Sequence, residues 1–101
     1  MGKIKWTHKG RAWLRKVHDY IAIDKPTAAL QLVEGIHQKV EVLHEFPEIG
    51  YRLRDYQEHV RVLLYGHYRI AYWMKENRDI DIVGVFHGAL DIKKHLLLPN
   101  K

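Results

Sequence analysis

The side chains able to do chemistry in this chain are arginines and histidines, not thiols. Its 101 residues hold eight histidines and no cysteine. The histidines are His8, His18, His37, His44, His59, His67, His87 and His95, and no HExxH or His-x3-His spacing links them. A zinc site is therefore not expected, and the lack of cysteine excludes a disulfide framework and a cysteine nucleophile. Neither GxGxxG nor GxxxxGK[ST] occurs, so no nucleotide cofactor is expected. His87 stands apart because it ends an apolar run just before Gly88. A strand end presents its side chain, and an imidazole titrating near neutrality serves there as acid or base, or hydrogen-bonds to the next turn. Arg61 and Arg69 fall inside similar runs, with Arg52 and Arg54 just ahead of them. Guanidinium forks hold phosphate, and rings such as Trp73 stack on bases, so a face carrying these groups suits phosphate or RNA contact. An ion pair from Arg69 to Asp81 or Glu76 would use the same charge structurally.

The elements that must position these groups follow from periodicity. Ile4 and Trp6 alternate with Lys3 and Lys5, which predicts a short first strand. Trp13, Leu14, Val17, Tyr20 and Ile21 recur at helical spacing and predict a helix over Gly10 to Ile23. Asp24-Lys25-Pro26 interrupts it, and Pro26 suits the first position of a second helix. Ala29, Leu32, Val33, Ile36, Val40 and Leu43 form one stripe, predicting that helix from Pro26 to Phe46, with Pro47 ending it. Gly35 inside it implies close packing against the first helix. From there the period changes to two. Val60–Tyr65, Tyr68–Met74 and Ile80–Phe86 are rich in β-branched and aromatic residues and predict three strands. Gly66-His67 marks a tight turn, and Lys75 to Asp79 a polar loop. The order β-α-α-β-β-β gives an α+β fold: a helical hairpin on one face of an antiparallel sheet, the other face partly exposed or covered by a partner. Unbroken alternation places Arg61, Arg69 and His87 on that free face or its rim.

Composition fits one globular domain spanning 1–101. Hydrophobic residues make up 47% and charged residues 29%. No apolar run approaches the ~20 residues of a membrane span, and Met1 to Trp6 does not read as a signal peptide, so a cytoplasmic protein is expected. The net charge of +5 is uneven. Residues 1–25 are strongly basic, 26–50 acidic, and 51–78 basic again. This balance points to a nucleic acid or an acidic partner.

Several stretches, in this order, resemble the RelE/ParE superfamily of bacterial toxin–antitoxin toxins. They are Ala12-Trp13-Leu14, Asp24-Lys25-Pro26, the corner Phe46-Pro47-Glu48-Ile49-Gly50, Val60-Arg61-Val62-Leu63, Gly66-His67-Tyr68-Arg69-Ile70-Ala71-Tyr72, and Val85-Phe86-His87-Gly88-Ala89-Leu90-Asp91. The last resembles the HGARD ending of ParE-type chains, with Leu90 where arginine is usual. The resemblance implies a RelE/ParE-like fold, no cofactor, and a cognate antitoxin as partner. It implies either of two targets. ParE-type members poison DNA gyrase, and RelE-type members cleave mRNA on the ribosome without a metal. Gly88-Ala89-Leu90 brings no second basic side chain after the last strand, which favours the gyrase branch. In the alternative, similar to the YoeB branch, Glu48, Arg69 and His87 would act as base, transition-state stabiliser and acid. A non-toxic regulatory protein is the third reading. The resemblance also implies operator DNA bound only through the antitoxin. The basic N-terminal third, the free sheet face and the apolar tail containing Leu96 and Leu97 are the surfaces expected to take an acidic antitoxin segment.

Overall fold

A computed structural model describes residues 2–53 and 59–88. Arg54, Leu96, Leu97 and the predicted tail lie outside the described residues. The elements are β1 (Ile4–Trp6), α1 (His8–Ala22), α2 (Pro26–Val40), β2 (Tyr51–Arg52), β3 (Val60–Tyr65), β4 (Tyr68–Met74) and β5 (Ile80–His87).

Helix α1 begins two residues before the predicted start because Thr7 caps it. The Thr7 hydroxyl accepts from the Gly10 amide at 2.9 Å and donates to the Ile82 carbonyl at 3.0 Å. The cap therefore also ties the helix to β5. Gly10 makes this approach possible, since a Cβ there would lie 2.1 Å from the Ile82 carbonyl oxygen. Helix α2 opens on Pro26 as expected but ends at Val40. A 3-10 turn, Glu41–His44, follows and carries Leu43 into the core. Gly35 does make a close contact, and its nearest neighbour is in β3: a Cβ there would sit 1.9 Å from the Tyr65 hydroxyl oxygen.

The sheet has the order β1-β5-β4-β3-β2. The β3–β4–β5 meander is antiparallel as predicted, and Gly66 takes a φ of +58° in the two-residue turn between Tyr65 and Tyr68. The sheet is nonetheless mixed, because β1 runs parallel to β5, with Ile4 opposite Ile80 and Trp6 opposite Ile82. Alternation in β1 fixes which side chains face the helices but not the strand's direction. Direction follows from its ends, where the Ile80 amide donates to the Lys3 carbonyl and the Thr7 amide to the Ile82 carbonyl. Two-residue β2 was not predicted.

One core lies between sheet and helices, built on Leu14, Ile36, Val40, Leu43, Leu63, Ile70, Tyr72, Ile80, Ile82 and Val85. Each buried aliphatic side chain there contributes roughly 1.5–3 kcal/mol. Tyr20, predicted on the buried stripe, is instead 80% exposed. The opposite face is not bare. Val60, Val62, Ala71, Val83 and Phe86 form a second buried cluster, with Trp13, Leu53 and Trp73 packed against it. The free face expected from the strand pattern is thus largely closed. β5 runs past the three residues of β1, and Trp13 reaches from α1 to the Phe86 ring, centroids 4.7 Å apart. No described helix is long and apolar enough to cross a membrane.

Candidate functional site

The singled-out residues fall into two groups at opposite ends of β4. At one end is the corner Phe46–Gly50. Tyr72, wholly buried, donates its hydroxyl to the Pro47 carbonyl at 2.8 Å and accepts from the Gly50 amide at 3.0 Å. Burial pushes the Tyr72 phenol above its usual range, partly opposed by the Gly50 amide. Arg61 lies directly across from Tyr72. Its guanidinium donates to the carbonyls of Glu48 at 3.1 Å and Gly50 at 2.7 Å. Gly50 has no room for a side chain, because a Cβ would meet the Tyr72 ring at 2.7 Å. Arg52 is paired with Arg61 across β2 and β3 and stays exposed. Like charges opposed in this way repel, and the carbonyls of the corner offset this for Arg61. The Glu48 side chain is exposed, so its part in this corner is played by its backbone.

At the other end Arg69 and His87 flank the hairpin turn. Arg69 donates to the Gly88 carbonyl at 2.8 Å, and Gly88 in turn donates its amide to the His67 carbonyl at 2.8 Å. Asp81, the ion-pair partner considered for Arg69, instead pairs with Lys75 at 3.2 Å and is 8% exposed. His87 is exposed and meets Tyr68 edge-on, ring centroids 5.6 Å apart.

These two residues do not share a face. The register between β4 and β5 shifts between Ala71 and Tyr72, which pair with Gly84 and Ile82 respectively. Val83 is the extra residue of a bulge. Beyond it the alternation reverses, so Val85 and His87 join Ile82 on the helix side, while Gly84 and Phe86 lie with Ala71 and Arg69. Unbroken alternation had put His87 with Arg69. Arg61 and Arg69 also lie on opposite faces, since Arg61 pairs with Tyr72 and Arg69 lies three residues from it. Three strand residues separate the two ends by about 10 Å. Glu48, Arg69 and His87 are therefore not brought together in this structure. Trp73 packs half-buried against the second cluster.

The strand pattern did not single out a groove beside His87. Trp13, Lys16, Val17 and Tyr20 of α1 face Tyr68, Val85 and His87 across an open, mainly apolar cavity of about 420 Å³. Lys16 lies over the Trp13 ring, 4.7 Å from its centroid. The sequence carried a signal for it: Trp13 and Tyr20 are seven residues apart, on a helix flank well off the Gly10–Leu14 line. Among the described residues no three His, Asp or Glu side chains form a metal-binding cluster.

The geometry accounts for the motifs as architecture. The Phe46-Pro47-Glu48-Ile49-Gly50 corner, Arg61 and Tyr72 are three parts of one hydrogen-bonded joint. No curated protein sequence matches this chain. Among the solved structures that share its fold are chains of two toxin–antitoxin systems. A chain of the chromosomal ParDE toxin–antitoxin system from P. aeruginosa is 24% identical, with a TM-score of 0.73 over 86% of this chain and 96% of that one. A chain of the toxin–antitoxin complex RelBE2 from Mycobacterium tuberculosis is 22% identical, with a TM-score of 0.60 over 85% and 90%. The family model for the ParE toxin of the type II toxin–antitoxin system parDE matches residues 4–92. With that match over nearly its whole length, and the two-helix, five-strand fold beneath it, this chain belongs to the ParE toxin family.

Proposed function

We propose that this toxin acts on DNA gyrase and is neutralised by a cognate antitoxin through an acidic segment. The observation that carries the target is the dispersal of the candidate catalytic groups. Arg69 and His87 occupy opposite faces, and Glu48 sits at the far end of β4. Metal-free RNA cleavage needs a base, an acid and a cation converging on one phosphate within hydrogen-bond reach. A poison that clamps an enzyme–DNA complex needs only a binding surface. Membership of the ParE family supports the same side. The groove between α1 and β5 suits the antitoxin: apolar walls from Trp13, Val17, Tyr20 and Val85 take an amphipathic segment, and Lys16 and the basic flank of α1 take its carboxylates.

The test runs two assays on the purified chain, gyrase supercoiling and ribosome-dependent mRNA cleavage. Inhibited supercoiling with intact mRNA is expected. Cleaved mRNA with unaffected gyrase overturns the gyrase reading in favour of the ribonuclease. Growth arrest on induction, relieved by co-expressing the neighbouring gene product, is expected for a toxin with its antitoxin. Unimpeded growth of cells making the folded protein would make it a non-toxic regulator.

A further inference from the structure

The two helices are the same length but carry their charges in opposite senses. Helix α2 places its basic residues, His37 and Lys39, in its last turn, where the helix dipole stabilises cations. Helix α1 has no acidic residue in its first turn and no basic residue in its last. Its cations Lys9, Arg11, Arg15 and Lys16 lie within one eight-residue stretch, and Lys9 and Arg11 stand in the first turn, where the dipole opposes them. All four are exposed, and among the described residues none has a carboxylate within ion-pair distance. This arrangement costs helix stability and gains no internal pair in return. The platform beneath is rigid, because the Thr7 cap and the Gly10 contact fasten the start of α1 to β5.

We propose that the outer face of α1 is a sequence-independent contact for the phosphate backbone of duplex DNA, made through Lys9, Arg11, Arg15 and Lys16. Charge complementarity selects the occupant. From Lys9 to Lys16 the helix advances about 10 Å, over which a duplex presents about six phosphate charges. The four cations spread over the outer half of the helix, with one carboxylate, Asp19, among them, and meet that density without needing an apolar anchor. An acidic peptide helix would need such anchors, and those lie in the neighbouring groove. Single-strand binding stacks successive bases on open rings; the Trp13 ring is already taken up by Phe86 and Lys16, which leaves α1 with one open tyrosine, Tyr20, too few for such a stack. The acidic stretch 26–50, with one lysine against four glutamates, gives the molecule a charge asymmetry that orients α1 towards a polyanion. This surface is a property of the chain whichever enzyme the toxin attacks.

Binding of the full chain to a labelled 20-bp duplex, measured by fluorescence anisotropy from 50 to 200 mM salt, tests it. Neutralising four phosphates gives a slope of log K against log salt of about −3.6, a loss of roughly 150-fold across that range. Arg11→Ala/Arg15→Ala should reduce the slope by about 1.8, and Arg11→Gln/Arg15→Gln should do the same with the polar stems kept. Lys25→Ala/Lys39→Ala should leave it unchanged. Both arginine variants should melt at the wild-type temperature or a few degrees above it, since the opposed charge at Arg11 is gone. An absence of duplex binding at 50 mM salt overturns the proposal, as does a slope insensitive to Arg11 and Arg15. So does tighter binding to single-stranded DNA or an RNA hairpin than to the duplex, or capture of a glutamate-rich peptide without the duplex. Running supercoiling inhibition on the same variants keeps this result separate from the choice of gyrase as target.

Discussion

Two arginines eight residues apart in one hairpin have different tasks. Arg61 is turned onto the backbone of the Phe46–Gly50 corner beside a buried tyrosine. Arg69 lies at the open end of the hairpin and holds the last described residue, Gly88. The sequence presents both as a cation within an apolar run. What separates them is whether the polar atoms around them are closed off. At the Arg61 end, the Tyr72 hydroxyl bonds the Pro47 carbonyl and the Gly50 amide while Arg61 bonds the carbonyls of Glu48 and Gly50, so the joint stabilises the fold. At the Arg69 end, His87 and Gly88 are exposed, so contacts with another molecule remain possible. The Phe46–Gly50 motif and Glu48 sit at the closed end, and the catalytic candidates Arg69 and His87 sit at the open one.

The sharpest way to break this contrast is Tyr72→Phe. The change leaves the Gly50 amide and the Pro47 carbonyl without their partner in a largely dry joint. Each unsatisfied group costs about 1–3 kcal/mol, so a loss of about 2–6 kcal/mol is expected from urea unfolding. A loss under about 0.5 kcal/mol would show that the corner does not depend on the tyrosine. The same variant has a pH signature. With the folded-state pKa raised above the unfolded value near 10, the native state keeps a proton that the unfolded chain gives up. The stabilisation is complete below about pH 10 and is lost as pH rises through the folded value. The gap between wild type and Tyr72→Phe should therefore narrow above pH 10, and a constant gap would contradict the burial argument.

Next comes the arginine pair itself. Arg61→Ala removes two charge-assisted bonds to carbonyls and should cost about 1.5–3 kcal/mol. In Arg69→Ala the loss of the solvent-exposed bond to Gly88 should by itself cost roughly 1 kcal/mol. Growth arrest by the folded Arg69→Ala protein should stay within a few-fold of wild type. A drop of a hundredfold or more in an RNA-cleavage rate would instead mark Arg69 as a transition-state donor. Equal stability losses at the two positions would erase the distinction between the ends.

Much of this fold was legible because its elements carry strong periods. Helix α2 and strands β3 and β4 show uninterrupted stripes or alternation, β5 is a run rich in β-branched residues, and the helical hairpin follows from Pro26. What escaped was set by tertiary contact. Strand β2 is two residues long and has no period to read; it is defined by pairing with Val62 and Arg61. Three residues of β1 fix a face but not a direction. The bulge at Val83 changed the site most, because a one-residue shift moves every later side chain to the other face. Gly84 was its trace in the sequence, since glycine inside a strand often marks a bulge. Arg61 was visible as a functional candidate, yet nothing local to it shows that its partners are main-chain carbonyls at least eleven residues away.

The smallest expected effect is at His87, and it bears most directly on function. His87 ends β5 on the helix side, exposed, with its ring against the edge of Tyr68. Replacement by Gln keeps comparable size and hydrogen-bonding capacity but cannot serve as a general acid. The site is exposed and the edge-on contact with Tyr68 is lost, so the stability change should stay within about 1 kcal/mol. If the toxin clamps gyrase on DNA, no proton is delivered from this position. Growth arrest and supercoiling inhibition should then remain nearly unchanged, apart from a modest loss if the groove beside Val85 contacts the target. A general acid behaves differently: its removal lowers a chemical rate by roughly a hundredfold to ten-thousandfold with the fold intact. Wild type and His87→Gln should therefore be compared side by side for growth arrest and for ribosome-dependent mRNA cleavage. Cleavage by wild type that vanishes in the variant would place an acid at this strand end. It would also require Arg69, on the other face, to move into register with His87 on the ribosome, which turns the open end of the hairpin from a binding rim into an active site assembled by its target.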